Sequence, residues 1–95
     1  MDDFTSKPGV ANQFGLVQGE ANAVAPGKRM LSAMTPTIVL DEEGRLKLVL
    51  GSPGGATIIT TVFQVISSLL DHRLTLSQSV QAPRVHHQHV PDRIA

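Results

Sequence analysis

Gly51-Ser52-Pro53-Gly54-Gly55-Ala56-Thr57-Ile58-Ile59-Thr60-Thr61-Val62-Phe63-Gln64-Val65-Ile66-Ser67-Ser68-Leu69-Leu70 is the stretch on which the fold turns. Three glycines and a proline in its first five positions allow backbone conformations that a side chain would forbid. The β-branched residues that follow also suit a strand, so the period has to arbitrate. Ile58, Val62, Val65/Ile66 and Leu69 fall on helical spacing, and Ile59, Phe63 and Leu70 widen the stripe. Strict alternation fails at the adjacent pairs Ile58–Ile59, Val62–Phe63 and Leu69–Leu70. The spacing therefore predicts a helix over about 57–71, with a broad apolar stripe and heavy burial. A glycine turn delivered onto a helix start presents bare N–H groups, which suit a phosphate, a carboxylate or a transition-state oxyanion. The same glycines also suit a tight strand-to-helix turn with no ligand, and the stretch by itself leaves both readings open.

Upstream, Thr35-Pro36-Thr37-Ile38-Val39-Leu40 is β-branched and apolar, with its proline near the start, where a strand tolerates one. Asp41-Glu42-Glu43-Gly44 is a polar turn, and Arg45-Leu46-Lys47-Leu48 alternates charged with apolar before Val49-Leu50. A β-hairpin over about 35–50 follows, with the second strand wet near the turn and sinking toward Leu50. Downstream, Asp71-His72-Arg73 ends the first helix. A shorter helix over about 75–82 has Thr75 or Ser77 as cap and Pro83 as stop. Residues 1–13, 20–33 and 83–95 read as loop, with a short strand expected at Phe14 to Gly19. Long loops in so small a chain point to a site or to a covering partner.

The chain has 95 residues, enough for one small domain and too few for two. Eight basic residues balance eight acidic ones, so nothing favours a nucleic-acid partner or an anionic membrane surface. Three phenylalanines and no tyrosine or tryptophan argue against a base-stacking platform. Without cysteine there is neither a disulfide framework nor thiolate chemistry, and the compartment stays undetermined. The apolar run is too short and too polar for a membrane segment, and Met1-Asp2-Asp3-Phe4 is acidic where a signal peptide is basic.

The adjacent acids Asp2 and Asp3 suit either a receptor for an ammonium group or cation, or plain solvation. His86, His87 and His89, with Arg84, are spaced His-His-x-His, which does not close a tetrahedral metal set, so a hydrogen-bonded structural cluster is expected and no metal. Ser32 has no neighbouring base and no nucleophile-elbow pattern, which makes it a hydrogen-bond donor to an anion rather than a nucleophile.

Several blocks, in order, resemble the γ-glutamyltransferase (γ-glutamyltranspeptidase) family. They are Met1-Asp2-Asp3-Phe4 with Lys7-Pro8-Gly9, Leu16-Val17-Gln18-Gly19-Glu20-Ala21-Asn22, and Ser32-Ala33-Met34-Thr35-Pro36-Thr37-Ile38-Val39. Gly51-Ser52-Pro53-Gly54-Gly55, Ile58-Ile59-Thr60-Thr61-Val62 and Ala82-Pro83-Arg84-Val85-His86-His87-Gln88 continue the likeness, which spans essentially the whole chain.

The resemblance implies an α+β chain that forms part of the αββα sandwich of the N-terminal-nucleophile hydrolases. It also implies a precursor that cuts itself into large and small subunits and frees a threonine, which attacks the γ-glutamyl amide of glutathione or a related donor. Water, an amino acid or a peptide then resolves the acyl-enzyme, and no cofactor is called for. By position, Asp3 is expected to grip the donor α-ammonium, Ser32 its α-carboxylate, and Gly54 and Gly55 to form the oxyanion hole. The family's second serine is Ala33 here, which brings glutaryl or cephalosporin-type acylases into view as an alternative. No threonine lies in the family's nucleophile motif, which is expected upstream of Met1. The chain thus reads as a single unit over 1–95, an incomplete slice of the small subunit. Its expected partners are the rest of that subunit and the large subunit. Alone it is expected to be inactive and prone to self-association, and a non-catalytic interaction module of the same ancestry is the rival from another class. The family is often periplasmic, secreted or at the cell surface, although nothing in this chain fixes its location.

Overall fold

The computed structural model describes residues 3–95, so Asp2 lies outside the described residues. The chain is α+β. Strands β1 (Thr37–Leu40) and β2 (Leu46–Leu50) form an antiparallel hairpin, a 3-10 turn (Gly55–Thr57) leads into helix α1 (Ile58–Leu70), and helix α2 (Leu76–Gln81) follows. A second 3-10 turn, Glu20–Asn22, punctuates the N-terminal loops.

The hairpin forms where the alternation puts it. Asp41 closes its turn: one carboxylate oxygen accepts from the Glu43 and Arg45 amides, and the other accepts from Arg45 Nε at 2.8 Å. The register pairs Thr37 with Leu50, Ile38 with Val49 and Val39 with Leu48, then slips so that Leu40 faces Leu46. Lys47 is the extra residue of this bulge, which sits beside the polar turn. Leu46 and Lys47 are exposed while Leu48 and Leu50 are half-buried, so the second strand does sink away from its turn.

Helix α1 keeps the expected period, with Ile58, Val62 and Val65 as its buried face. The heavy burial expected of the whole stripe is not found. Ile59 and Phe63 remain 53% and 68% exposed, because α2 and the C-terminal segment cover one side of the helix and nothing described here covers the other. Thr75 is the cap of α2. Its hydroxyl accepts from the Gln78 amide while the Gln78 side chain accepts from the Thr75 amide, a reciprocal capping box.

The short strand expected at Phe14 to Gly19 does not form; the segment is a turn with one bridge, Ala11 to Val17. The Asn12 side chain is the reason. Its oxygen accepts from the Phe14 and Leu16 amides at 2.9 and 3.0 Å, which folds the backbone into a local turn and leaves Gly15 at φ +74°.

These elements make an open layer measuring 44 × 32 × 17 Å. The radius of gyration is 16.3 Å, whereas a compact domain of this length would have about 12 Å. The surface of 7115 Å² exceeds by about 1,800 Å² what a compact protein of this mass exposes. Much of it is apolar: Ile38, Leu40, Leu46 and Val49 line one uncovered hairpin face. No helix among the described residues is long and apolar enough to cross a membrane.

Candidate functional site

The glycine corner after β2 has a specific geometry. Gly54 (φ +138°) and Gly55 (φ +57°) both occupy backbone conformations that L side chains rarely adopt. The Gly54 carbonyl accepts from the Thr57 amide at 3.1 Å and from the Thr57 hydroxyl at 2.9 Å, which pins the corner to the start of the helix. Among the described residues, neither the Gly54 nor the Gly55 N–H has a hydrogen-bond acceptor. Two such donors at a helix entry can receive a negative oxygen.

Phe14 stands against this corner. A methyl group built on Gly55 would come within 2.5 Å of the Phe14 ring, so ring and backbone are in direct contact. The aromatic residue separates two depressions. One, of about 250 Å³, is lined by Asp3, Gln13, Phe14, Ala33, Met34, Gly55 and Ile58. The other, of about 270 Å³, takes in Gly54, Thr57, His86, Gln88 and Arg93.

The expected site residues are thus placed unequally. Asp3 and Gly55 share the first depression although 52 positions separate them in the chain. Gly54 lines the neighbouring one. Ser32 lines neither, while its neighbours Ala33 and Met34 line the first. The Ser32 hydroxyl oxygen accepts from the Met34 amide at 3.1 Å, which leaves its hydrogen for donation. The Asp3 carboxylate is exposed and has no ion-pair partner among the described residues.

Three supporting groups escaped the sequence reading. Asn22 is buried: its amide nitrogen donates to the Asp3 carbonyl and to Gln18 Oε1, and its oxygen accepts from the Leu31 amide at 3.0 Å. Gln64 embraces the Val85 backbone, donating to its carbonyl at 2.7 Å and accepting from its amide at 2.9 Å. Gln88 donates to the carbonyls of Phe14 and Val90 at 2.9 and 3.1 Å, so its oxygen faces His86 Nε2 at 2.8 Å. His86 Nε2 therefore carries a proton, and His86 Nδ1 meets the Thr60 hydroxyl at 2.9 Å. The chain Thr60–His86–Gln88 ties the Phe14 loop to α1. An amide side chain with both a donor and an acceptor is the one local signal these residues carry, and it does not reveal a partner.

His86 and His87 thus serve as hydrogen-bonding groups. His87 Nε2 sits 2.9 Å from Asp92 Oδ1, and no group of three or more possible ligands among the described residues is placed to hold a metal ion.

Comparison with known proteins gives the family. The chain is 55% identical over 91 residues to the glutathione hydrolase proenzyme of Pseudomonas aeruginosa, covering 96% of this chain and 16% of that protein. It is 45% identical over 67 residues to an acylase proenzyme, ACY 1, from a Pseudomonas strain, covering 70% of this chain and 12% of that protein. Among solved structures, the gamma-glutamyltranspeptidase of Pseudomonas nitroreducens complexed with L-DON is 57% identical and superimposes with a TM-score of 0.89, over 95% of this chain and 46% of that one. The chain therefore spans about one sixth of the length of the curated relatives it matches. A model of the gamma-glutamyltranspeptidase family matches residues 1–95. With sequence and backbone in agreement, this chain belongs to the gamma-glutamyltranspeptidase family of enzymes.

Proposed function

We propose that this chain forms the donor-binding and oxyanion part of a γ-glutamyl acyl-transfer enzyme acting on glutathione or related γ-glutamyl amides. One observation carries the reading: a carboxylate, Asp3, and an oxyanion candidate, Gly55, line a single depression of small-molecule size. The free carboxylate at one end suits the α-ammonium of a γ-glutamyl group. Ser32 donates to the α-carboxylate. The unpaired N–H groups of Gly54 and Gly55 receive the γ-carbonyl oxygen as it turns anionic.

The attacking threonine comes from outside this chain. Its hydroxyl adds to the γ-carbonyl while its own α-amine takes the proton; the C–N bond then breaks and the leaving amine departs with that proton. Water or an amine acceptor attacks the resulting ester and returns the hydroxyl. On this account the chain is a slice of the small subunit, completed by the rest of that subunit and by the large subunit into an αββα sandwich, and it is inactive alone.

Ala33 favours a second reading. It lines the depression at the position of the family's second serine, so one hydrogen bond to the α-carboxylate is absent and a glutaryl donor is less disfavoured. Competing hydrolysis of a γ-glutamyl anilide and a glutaryl anilide by the complete proenzyme carrying this sequence separates the two. A higher kcat/KM on the γ-glutamyl anilide supports γ-glutamyl transfer, a higher one on the glutaryl anilide supports the acylase, and turnover of neither refutes both.

A further inference from the structure

The buried amide of Asn22 joins the two segments that bear the proposed substrate groups. Asn22 is only 9% exposed, and all of its recorded side-chain bonds run to loops. Its nitrogen donates to the Asp3 carbonyl, 19 residues upstream, while its oxygen accepts from the Leu31 amide, 9 residues downstream and next to Ser32. Its backbone carbonyl accepts from the Thr5 amide at 2.9 Å, which fixes the same upstream segment a second time. Gln18 orients the arrangement, since Oε1 accepts from both Asn22 Nδ2 and the Thr5 hydroxyl at 2.9 Å. Neither Asp3 nor Ser32 lies in a helix or strand, so these loops have no ladder of their own to hold them.

From this we infer that Asn22 is a positioning residue, setting the spacing between the carboxylate that receives the donor ammonium and the hydroxyl that receives the donor carboxylate. The inference deepens the γ-glutamyl reading and rests on it. Asn22 does not touch the donor; it decides whether Asp3 and Ser32 reach the same molecule.

Asn22→Asp separates the two tethers, because the carboxylate still accepts from Leu31 but offers no hydrogen to Asp3 or Gln18. In the complete proenzyme carrying this sequence, N22D should raise KM for a γ-glutamyl anilide about tenfold while kcat stays within about threefold, the scale of one net hydrogen bond plus the new repulsion. The decisive arm is the Asp3→Asn background. With the carboxylate already gone, N22D should add less than about twofold, because the two residues act as one unit. Gln18→Met, at a half-buried position, releases the Asn22 amide without introducing a charge. It should raise KM about threefold and supplies the test should N22D fail to fold. A full tenfold effect of N22D on top of Asp3→Asn, or a fall in kcat with KM unchanged, overturns the positioning role. If Asp3→Asn alone leaves KM and kcat/KM at the wild-type level, the donor-site reading itself has failed, and this inference goes with it.

Discussion

Placing a methyl group on Gly55 is the sharpest perturbation of the proposed oxyanion corner. The new Cβ would lie 2.5, 2.7 and 3.0 Å from Cε1, Cζ and Cδ1 of Phe14. Carbon atoms prefer roughly 3.5–4.0 Å, so either ring or turn must retreat by about 1 Å. The backbone under the ring is held in place, because the Phe14 amide is bonded to Asn12 and its carbonyl to Gln88. The φ of +57° adds about 1 kcal/mol of strain for any residue other than glycine. The corner therefore gives way, and a misplacement of about 1 Å at a reacting group costs roughly 100-fold in rate. Gly55→Ala in the complete enzyme should thus lower kcat about 100-fold, near 2.7 kcal/mol of barrier, with KM changed by less than about threefold. Gly51→Ala is the control, since a methyl there meets nothing within 4 Å, and it should leave stability within about 0.5 kcal/mol and kcat unaltered. Steady-state hydrolysis of a γ-glutamyl anilide reads both. A Gly55→Ala enzyme with kcat within threefold of wild type, or one altered only in KM, would refute the oxyanion role.

Three further outcomes follow from the geometry. Ala33→Ser returns a hydroxyl to the wall of the donor depression and should raise the γ-glutamyl over glutaryl preference in kcat/KM about tenfold, the worth of a hydrogen bond to a charged group; no change would remove Ala33 from the specificity argument. The Arg45 amide, followed by the Arg45 side chain and the Glu43 amide, holds the Asp41 carboxyl below its ordinary value of 3.8. A lowered folded value means that the stabilisation is present above about pH 4 and is lost as pH falls through that lowered value, so the thermal-stability gap between wild type and Asp41→Asn should be open at neutral pH and close in acid; a gap that widened on acidification would contradict the sign. The isolated chain, with Ile38 and Val49 at 68% and 62% exposure, should self-associate in sedimentation experiments and shift toward monomer on Val49→Lys; a wild-type chain that is monomeric at high concentration would count against the uncovered face.

What could be read from the residues was whatever has a local period or a local cap. The alternation of Arg45 to Leu48 gave away the hairpin, the spacing of Ile58, Val62 and Val65 the helix, and Thr75 followed by Gln78 the second helix start. At 14–19 the apolar Phe14, Leu16 and Val17 look like a strand, while the Asn12 side chain settles the backbone into a turn from outside that window. The stripe of α1 is less buried than its pattern predicts because a stripe of apolar residues says that a face wants cover, not that this chain supplies it. Local pattern offers the glycine corner as an anion seat, Asp3 as one of two acids that suit an ammonium group, and Ser32 as a donor to an anion. Only the family resemblance assigns all of them to one substrate. The amides that hold their loops were invisible, because Gln88 reaches Phe14 across 74 residues and Asn22 reaches Asp3 across 19, and no periodicity links such positions.

In the proposed site one donor reaches both Asp3 and the diglycine corner, and a donor stripped of its α-amino group tests that most directly. Asp3→Asn should cost roughly 2–5 kcal/mol in kcat/KM, about 30-fold or more, on a γ-glutamyl anilide, and less than about twofold on the matching glutaryl anilide, which has no ammonium for Asp3 to hold. Equal losses on the two substrates, or none on either, would contradict it.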